Sequence, residues 1–255
     1  MMRRAPGLAF AVWLILAALA GCAQDRAVLQ KKAEAKQSLG LTLIQDGQLQ
    51  AGLNELIQAA NLDPENAEIQ NAMALAYRDM GNTDEAIRHF QNALALRPDY
   101  PDAENNLGTV YLIRREWDKA ILHFEKAAHS LSYRTPYMAY SNIGYAYHQM
   151  GRYEKAIEYY QKAIERWNRY SPAYDNMGLA YEMLGKWEKA VEAYRQASAT
   201  SPSSPLPHLH LARLYLKLNL HREATESLIE VVRLDPRGTY GQEAKRLLDE
   251  IGGRK

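Results

Sequence analysis

The chain of 255 residues holds one cysteine, Cys22. No internal disulfide is available, so any core must come from side-chain packing alone. Charge of neither sign dominates: 31 Lys and Arg against 30 Asp and Glu give a formal +1. That balance leaves no basic stripe for nucleic acid or anionic lipid. The longest apolar run, Leu8 to Ala20, falls short of the roughly 20 residues that a bilayer span needs. A Gly-rich phosphate loop, a nucleophile elbow and a Ser/His/Asp arrangement are all missing. The seven histidines are scattered, and His208-x-His210 lacks a third ligand at useful spacing. Both are expected to be surface residues rather than metal ligands. Glu154, Glu158 and Glu188 lie near lysines and read as solvated ion pairs on outer helix faces. The sequence therefore predicts no catalytic residues, no metal and no cofactor.

What the chain does contain is a paragraph repeated six times. The runs LGTVY, IGYAY and MGLAY place Gly108, Gly144 and Gly178 in one slot, filled elsewhere by Gly40, Ala74 and Ala212. Successive intervals are 34, 34, 36, 34 and 34 residues. A period of 34 with a small residue, an aromatic three positions later and a proline near the end is the signature of the tetratricopeptide repeat. The predicted fold is all-α: a superhelix (an α-solenoid) of about six helix-turn-helix repeats, with the first helices on its concave side. The repeats fall near 33–66, 67–100, 101–134, 137–170, 171–204 and 205–238.

In the third repeat the helices are expected from Asp102 to Arg114 and from Trp117 to His129, with apolar residues at helical spacing. Small residues such as Gly108 and Ala120 let the two helices approach, and Tyr111 and Phe124 fill the space around them. The same aromatic slots hold Tyr77 and Phe90, Tyr147 and Tyr160, and Tyr181 and Tyr194; Tyr215 is paired with Leu228. At this register they are core. Pro64, Pro98, Pro202 and Pro236 follow second helices, while Pro101, Pro136, Pro172 and Pro205 open first helices. The first repeat is the weakest match, with Leu43 in the aromatic slot and Gly52 in place of alanine. Gln242 to Ile251 has the pattern of an amphipathic helix that covers the last repeat, so the array runs to residue 251.

The front end has a different character. Arg3 and Arg4 precede the apolar run, which ends in Leu19-Ala20-Gly21-Cys22. Residues 1–21 read as a secretory signal. The Leu-Ala-Gly-Cys ending resembles the bacterial lipobox, which implies cleavage before Cys22 and a covalent lipid on that cysteine. Removing residues 1–21 takes away Arg3 and Arg4, so the formal +1 becomes −1. By the same resemblance, Ala23 after the cysteine points to an outer-membrane lipoprotein facing the periplasm. The polar stretch to Lys32 reads as a short tether, so residues 22–32 are anchor and tether.

A repeat array with no catalytic constellation is built to hold another protein. Asn106, Asn142 and Asn176 recur one per repeat in the same slot, which Ser38, Ala72 and His210 occupy elsewhere. A side-chain amide both donates and accepts, so such a ladder can pair with a peptide backbone. The same wall is expected to include Thr109, Tyr145, Leu179 and Met183, with Asn105, Leu112, Ile113, His148 and Glu182. Leu41, Ile44 and Leu75 extend it earlier in the array. This mixed lining fits an apolar segment, an amphipathic helix or strand.

The stretch Thr135-Pro136-Tyr137-Met138-Ala139-Tyr140-Ser141-Asn142-Ile143-Gly144 supplies the 36-residue interval. It is similar to a T-P-x-x-A-Y-x-N-x-G segment in the type IV pilus biogenesis lipoproteins, the pilotins of the PilF/PilW and Tgl type. The resemblance covers about residues 31–200 and the lipobox. It implies a non-enzymatic assembly factor that binds secretin subunits and promotes their localisation and multimerisation in the outer membrane. A lipoprotein scaffold for cell-wall enzymes, a component of exopolysaccharide export and an accessory of outer-membrane protein insertion are the alternatives.

Overall fold

The computed structural model describes residues 7–253, with side chains described from Arg26 onward. The signal segment 1–21 and Cys22 lie outside the residues whose side chains are described. Among the described residues there are thirteen helices and no strand. They are α1 (Gly7–Gln45), α2 (Leu49–Leu62), α3 (Ala67–Asp79), α4 (Thr83–Leu96), α5 (Pro101–Ile113), α6 (Trp117–His129) and α7 (Pro136–Gln149). The rest are α8 (Tyr153–Arg166), α9 (Ser171–Met183), α10 (Trp187–Thr200), α11 (Pro205–Lys217), α12 (His221–Leu234) and α13 (Thr239–Gly252). Helices pack in consecutive pairs, α1 with α2, α3 with α4, α7 with α8, α9 with α10 and α11 with α12, as the tetratricopeptide class requires. The helices group into two compact units, one ending at Val110 and one beginning at Tyr111. Within each unit the helices pack on near neighbours in the chain, so the core is a series of local clusters.

In the first unit, α1 packs on α2, α2 on α3 and α3 on α4. Leu53, Leu56, Ile69 and Met73 form the core here, with Ile44 and Tyr77 packed against it. Gly52, which departs from the repeat pattern, has a tertiary reason. A Cβ on Gly52 would lie 2.6 Å from the carbonyl oxygen of Gly40, and one on Gly40 would lie 2.9 Å from that of Gly52. The α1 and α2 backbones cross in direct contact, which two glycines permit. The described part of the expected tether, residues 26–32, is helical and continues α1. The stretch contains no glycine or proline and is rich in good helix formers. Arg26 pairs with Glu65 across 3.0 Å.

In the second unit, helices α6 to α13 pack in order, with added contacts between α7 and α9 and between α11 and α13. Phe124, Tyr160, Tyr194 and Leu228 are fully buried, one per repeat, in the expected core slots. Leu247, Leu248 and Ile251 of α13 cover the cluster of Leu209, Ala212, Leu228 and Val231. The Asp235 carboxylate accepts from the backbone N–H of Gly238, Tyr240 and Gly241 at 2.9, 3.0 and 3.2 Å, which caps the start of α13.

A second column with the repeat period appears in the turns. Gly47, Gly81, Arg115, Gly151, Gly185 and Asn219 all have φ between 59° and 80°. Each ends a first helix in the left-handed conformation that turns the chain into the second. Arg115 bears the steric cost of a Cβ there, so this column is broken in the sequence and intact in the structure.

Burial pushes the imidazoles of His89, His148 and His208 below the usual 6.5; for His89 the nearby Arg88 charge adds to the effect. All three stay neutral in the folded chain near pH 7. In the unfolded chain they take up protons as the pH drops below 6.5, so unfolding binds protons in that window. The stability they hold is complete above pH 6.5 and declines as the pH falls towards their folded values. Chemical denaturation midpoints are expected to drop between pH 7.5 and 5.5. In the His89→Asn/His148→Asn/His208→Asn chain that drop should shrink; an unchanged slope would assign it to other groups.

Candidate protein-binding surface

The first helices of the second unit carry the repeated features. Met138, Asn142 and Tyr145 stand at i, i+4 and i+7 on α7, one face of that helix. The matching face of α9 holds Asn176, Leu179 and Met183. Because α7 and α9 are in contact, the two faces adjoin. Met183 is 58% exposed and Tyr145 41%, and Met138 is exposed as well, so large apolar groups stand in water on both helices. Asn142 and Asn176 are half-buried between them. The surface thus offers apolar contact interleaved with amide donors and acceptors, which can hold a polypeptide.

The other expected residues are placed differently. Leu179 is half-buried and packs on the cluster of Tyr194, Leu211 and Leu214, so its side chain belongs more to the core than to the wall. Ile44 likewise packs inward. Asn106 and Thr109 lie on α5 in the first unit. Asn106 donates from Nδ2 to Asn71 Oδ1 at 3.4 Å, and the Thr109 hydroxyl donates to the Asn105 carbonyl at 3.1 Å. Both polar groups have partners within the protein. Ile113, Leu41 and Met183 are exposed, while Leu75, Leu112 and His148 are half-buried.

Polar links between neighbouring first helices were the unforeseen feature. They join the residue before the ladder slot in one repeat to the slot of the next. Asn71 meets Asn106 in this way, and the Asp175 carboxylate lies 2.9 and 3.1 Å from His210 Nδ1. His210 is therefore a packed, paired residue rather than a surface one, and His208 is half-buried beside it in sequence. The signal was present: positions 37, 71, 105, 141 and 175 are all polar at the repeat period. Glu182, expected on the wall, accepts a hydrogen bond from the buried Tyr194 hydroxyl at 2.6 Å, with Lys217 3.9 Å away. Glu158 pairs with Lys162 as expected, at 2.6 Å. Glu154 and Glu188, by contrast, make no ion pair among the described residues.

Among the described residues, no group of three or more His, Cys, Asp or Glu is placed to hold a metal. Among them too, no helix is long and apolar enough to cross a membrane.

Family models for the tetratricopeptide repeat match residues 65–128, 137–203 and 182–248. No curated protein matches the chain in sequence. Among solved structures it is similar to PilF of Pseudomonas aeruginosa, with TM-score 0.70 and 20% identity over 86% of this chain and 98% of that one. PilW, described as a widely conserved type IV pilus biogenesis factor, aligns with TM-score 0.73 and 20% identity over 83% of this chain and 97% of that one. The APC/C hetero-tetramer Cut9–Hcn1 gives 0.68 and 18% over 86% of this chain but only 43% of that one. Identities this low speak for the fold alone, and the fold agrees with the family models. The chain belongs to the tetratricopeptide repeat family.

Proposed function

We propose that this protein is a lipid-anchored pilotin: an adaptor of the outer membrane, facing the periplasm, that binds secretin subunits and promotes their multimerisation in type IV pilus biogenesis. The observation that carries the reading is a lipobox ending at Cys22 ahead of a repeat array whose Thr135–Gly144 segment matches the pilotin pattern. Fold similarity to PilF and PilW over nearly their whole length supports it.

The chemistry divides in two. Acyl chains on Cys22 supply the address: at roughly 0.8 kcal/mol per buried methylene, several long chains hold the protein on the membrane for good. The adjoining faces of α7 and α9 supply the grip, with Met138, Tyr145 and Met183 as apolar anchors and Asn142 and Asn176 as backbone partners. Tethering raises the local concentration of a captured subunit, so a micromolar grip suffices.

Secretin multimers in outer membranes, resolved on gels without boiling, test the proposal. A deletion strain should retain monomers and lose multimers, wild type should restore them, and Cys22→Ser should not. Normal multimers and pili in the deletion strain would sink the reading, and the scaffold alternatives would then lead. Full multimers with a wholly soluble Cys22→Ser protein would remove the anchor from the mechanism.

A further inference from the structure

A cleft of about 430 Å³ opens between α10 and the α11–α12 turn, on helices other than the α7 and α9 pair described above. That volume lies within the roughly 300–1,000 Å³ of ligand-holding pockets. Its floor is apolar: Tyr215, with Trp187, Val191 and Leu218 packed on the same cluster. Its rim is acidic. Glu188 and Glu192 stand at i and i+4 on α10, and Glu223 of α12 also lines the cleft.

These carboxylates lack adequate counter-charge. Arg195 is the one cation of the lining, and its guanidinium donates to the Tyr215 hydroxyl at 2.9 Å. Glu188 has no ion-pair partner among the described residues, Glu192 accepts only from the neutral Gln196 amide at 2.8 Å, and Glu223 is 3.5 Å from Arg222. Lys217 sits over the Trp187 ring at 4.3 Å without lining the cleft. Like charges at i and i+4 repel, so the rim is held against its own electrostatics around an apolar floor.

We propose that this cleft is a docking site for a polypeptide segment that presents an apolar side chain flanked by lysine or arginine. The apolar group meets the Val191, Leu218 and Tyr215 floor, and the flanking cations meet Glu188, Glu192 and Glu223. Complementary charge sets specificity and rate of encounter, while the apolar contact supplies most of the hold. The site gives the adaptor a second grip, and it stands whether or not the partner of α7 and α9 is a secretin.

Fluorescence anisotropy with three labelled pentapeptides tests it: Lys-Leu-Lys-Leu-Lys, Glu-Leu-Glu-Leu-Glu and Lys-Ser-Lys-Ser-Lys. The first should bind the purified chain at least tenfold more tightly than the other two, and more weakly as salt rises. Glu188→Gln/Glu192→Gln should raise its Kd about tenfold, while Glu154→Gln/Glu158→Gln on α8 should leave it within twofold. Glu188 and Glu192 are both exposed, and an unchanged urea midpoint checks that the fold is kept. Equal binding of the lysine–serine peptide, or undiminished binding by Glu188→Gln/Glu192→Gln, overturns the proposal. So does failure of the lysine–leucine peptide to bind.

Discussion

Tyr194→Ala is expected to cost about 3–5 kcal/mol. Tyr194 is fully buried, its ring packs beneath Gly178, and its hydroxyl donates to Glu182 at 2.6 Å. Burial, and next the bond to Glu182, hold its pKa well above the usual tyrosine value, so it remains a neutral donor at any working pH. Truncation removes the apolar contact, leaves a cavity and strips a half-buried carboxylate of its donor. Tyr194→Phe isolates the last part, about 1.5–3 kcal/mol for a hydrogen bond to a charged group.

Tyr160 supplies the opposite case. It fills the same slot one repeat earlier and is equally buried, but its hydroxyl has no hydrogen-bond partner. Phe90 and Phe124 already hold that slot in earlier repeats. Tyr160→Phe should therefore be neutral or stabilising, by about 1 kcal/mol. Urea midpoints of the three chains decide the matter. A Tyr160→Phe loss as large as that of Tyr194→Phe would refute the assignment of the difference to Glu182.

Gly178→Ala should destabilise the chain even though alanine is the better helix former by about 1 kcal/mol. A Cβ there would lie 2.5 Å from the Tyr194 ring, closer than real contacts allow, and the bond to Glu182 keeps the ring from retreating. Overpacking of this kind costs about 1–3 kcal/mol. The last repeat already contains the compatible pair, Ala212 with Leu228, both fully buried in one cluster. Gly178→Ala/Tyr194→Leu should consequently be more stable than the sum of the two single changes predicts, by about 1 kcal/mol or more. Strict additivity would mean that the glycine serves some purpose other than room for the ring.

Much of this arrangement is present in the order of residues. The 34-residue period, the small and aromatic slots and the placing of prolines determine the helix pairs: α6 spans Trp117–His129, as the apolar spacing predicts. The cover formed by α13 follows from Ala244, Leu247, Leu248 and Ile251. These features depend on contacts within a repeat and with its immediate neighbour, which a periodic sequence states again in each copy.

Tertiary structure decided the rest. Gly52 reads as a lapse in the pattern until the Gly40 carbonyl is seen against it. Arg115 in a left-handed turn, Leu179 turned towards the core and His210 bound to Asp175 each depart from what their slots imply. Polarity at a position is visible in the sequence, but its partner is not. A hydrogen bond between residues 35 apart depends on the distance and angle between two helices, to within an ångström. The cleft beside α10 has the same origin: its acidic residues are ordinary surface glutamates in the sequence, and only the meeting of two helices and a turn gathers them around an apolar floor.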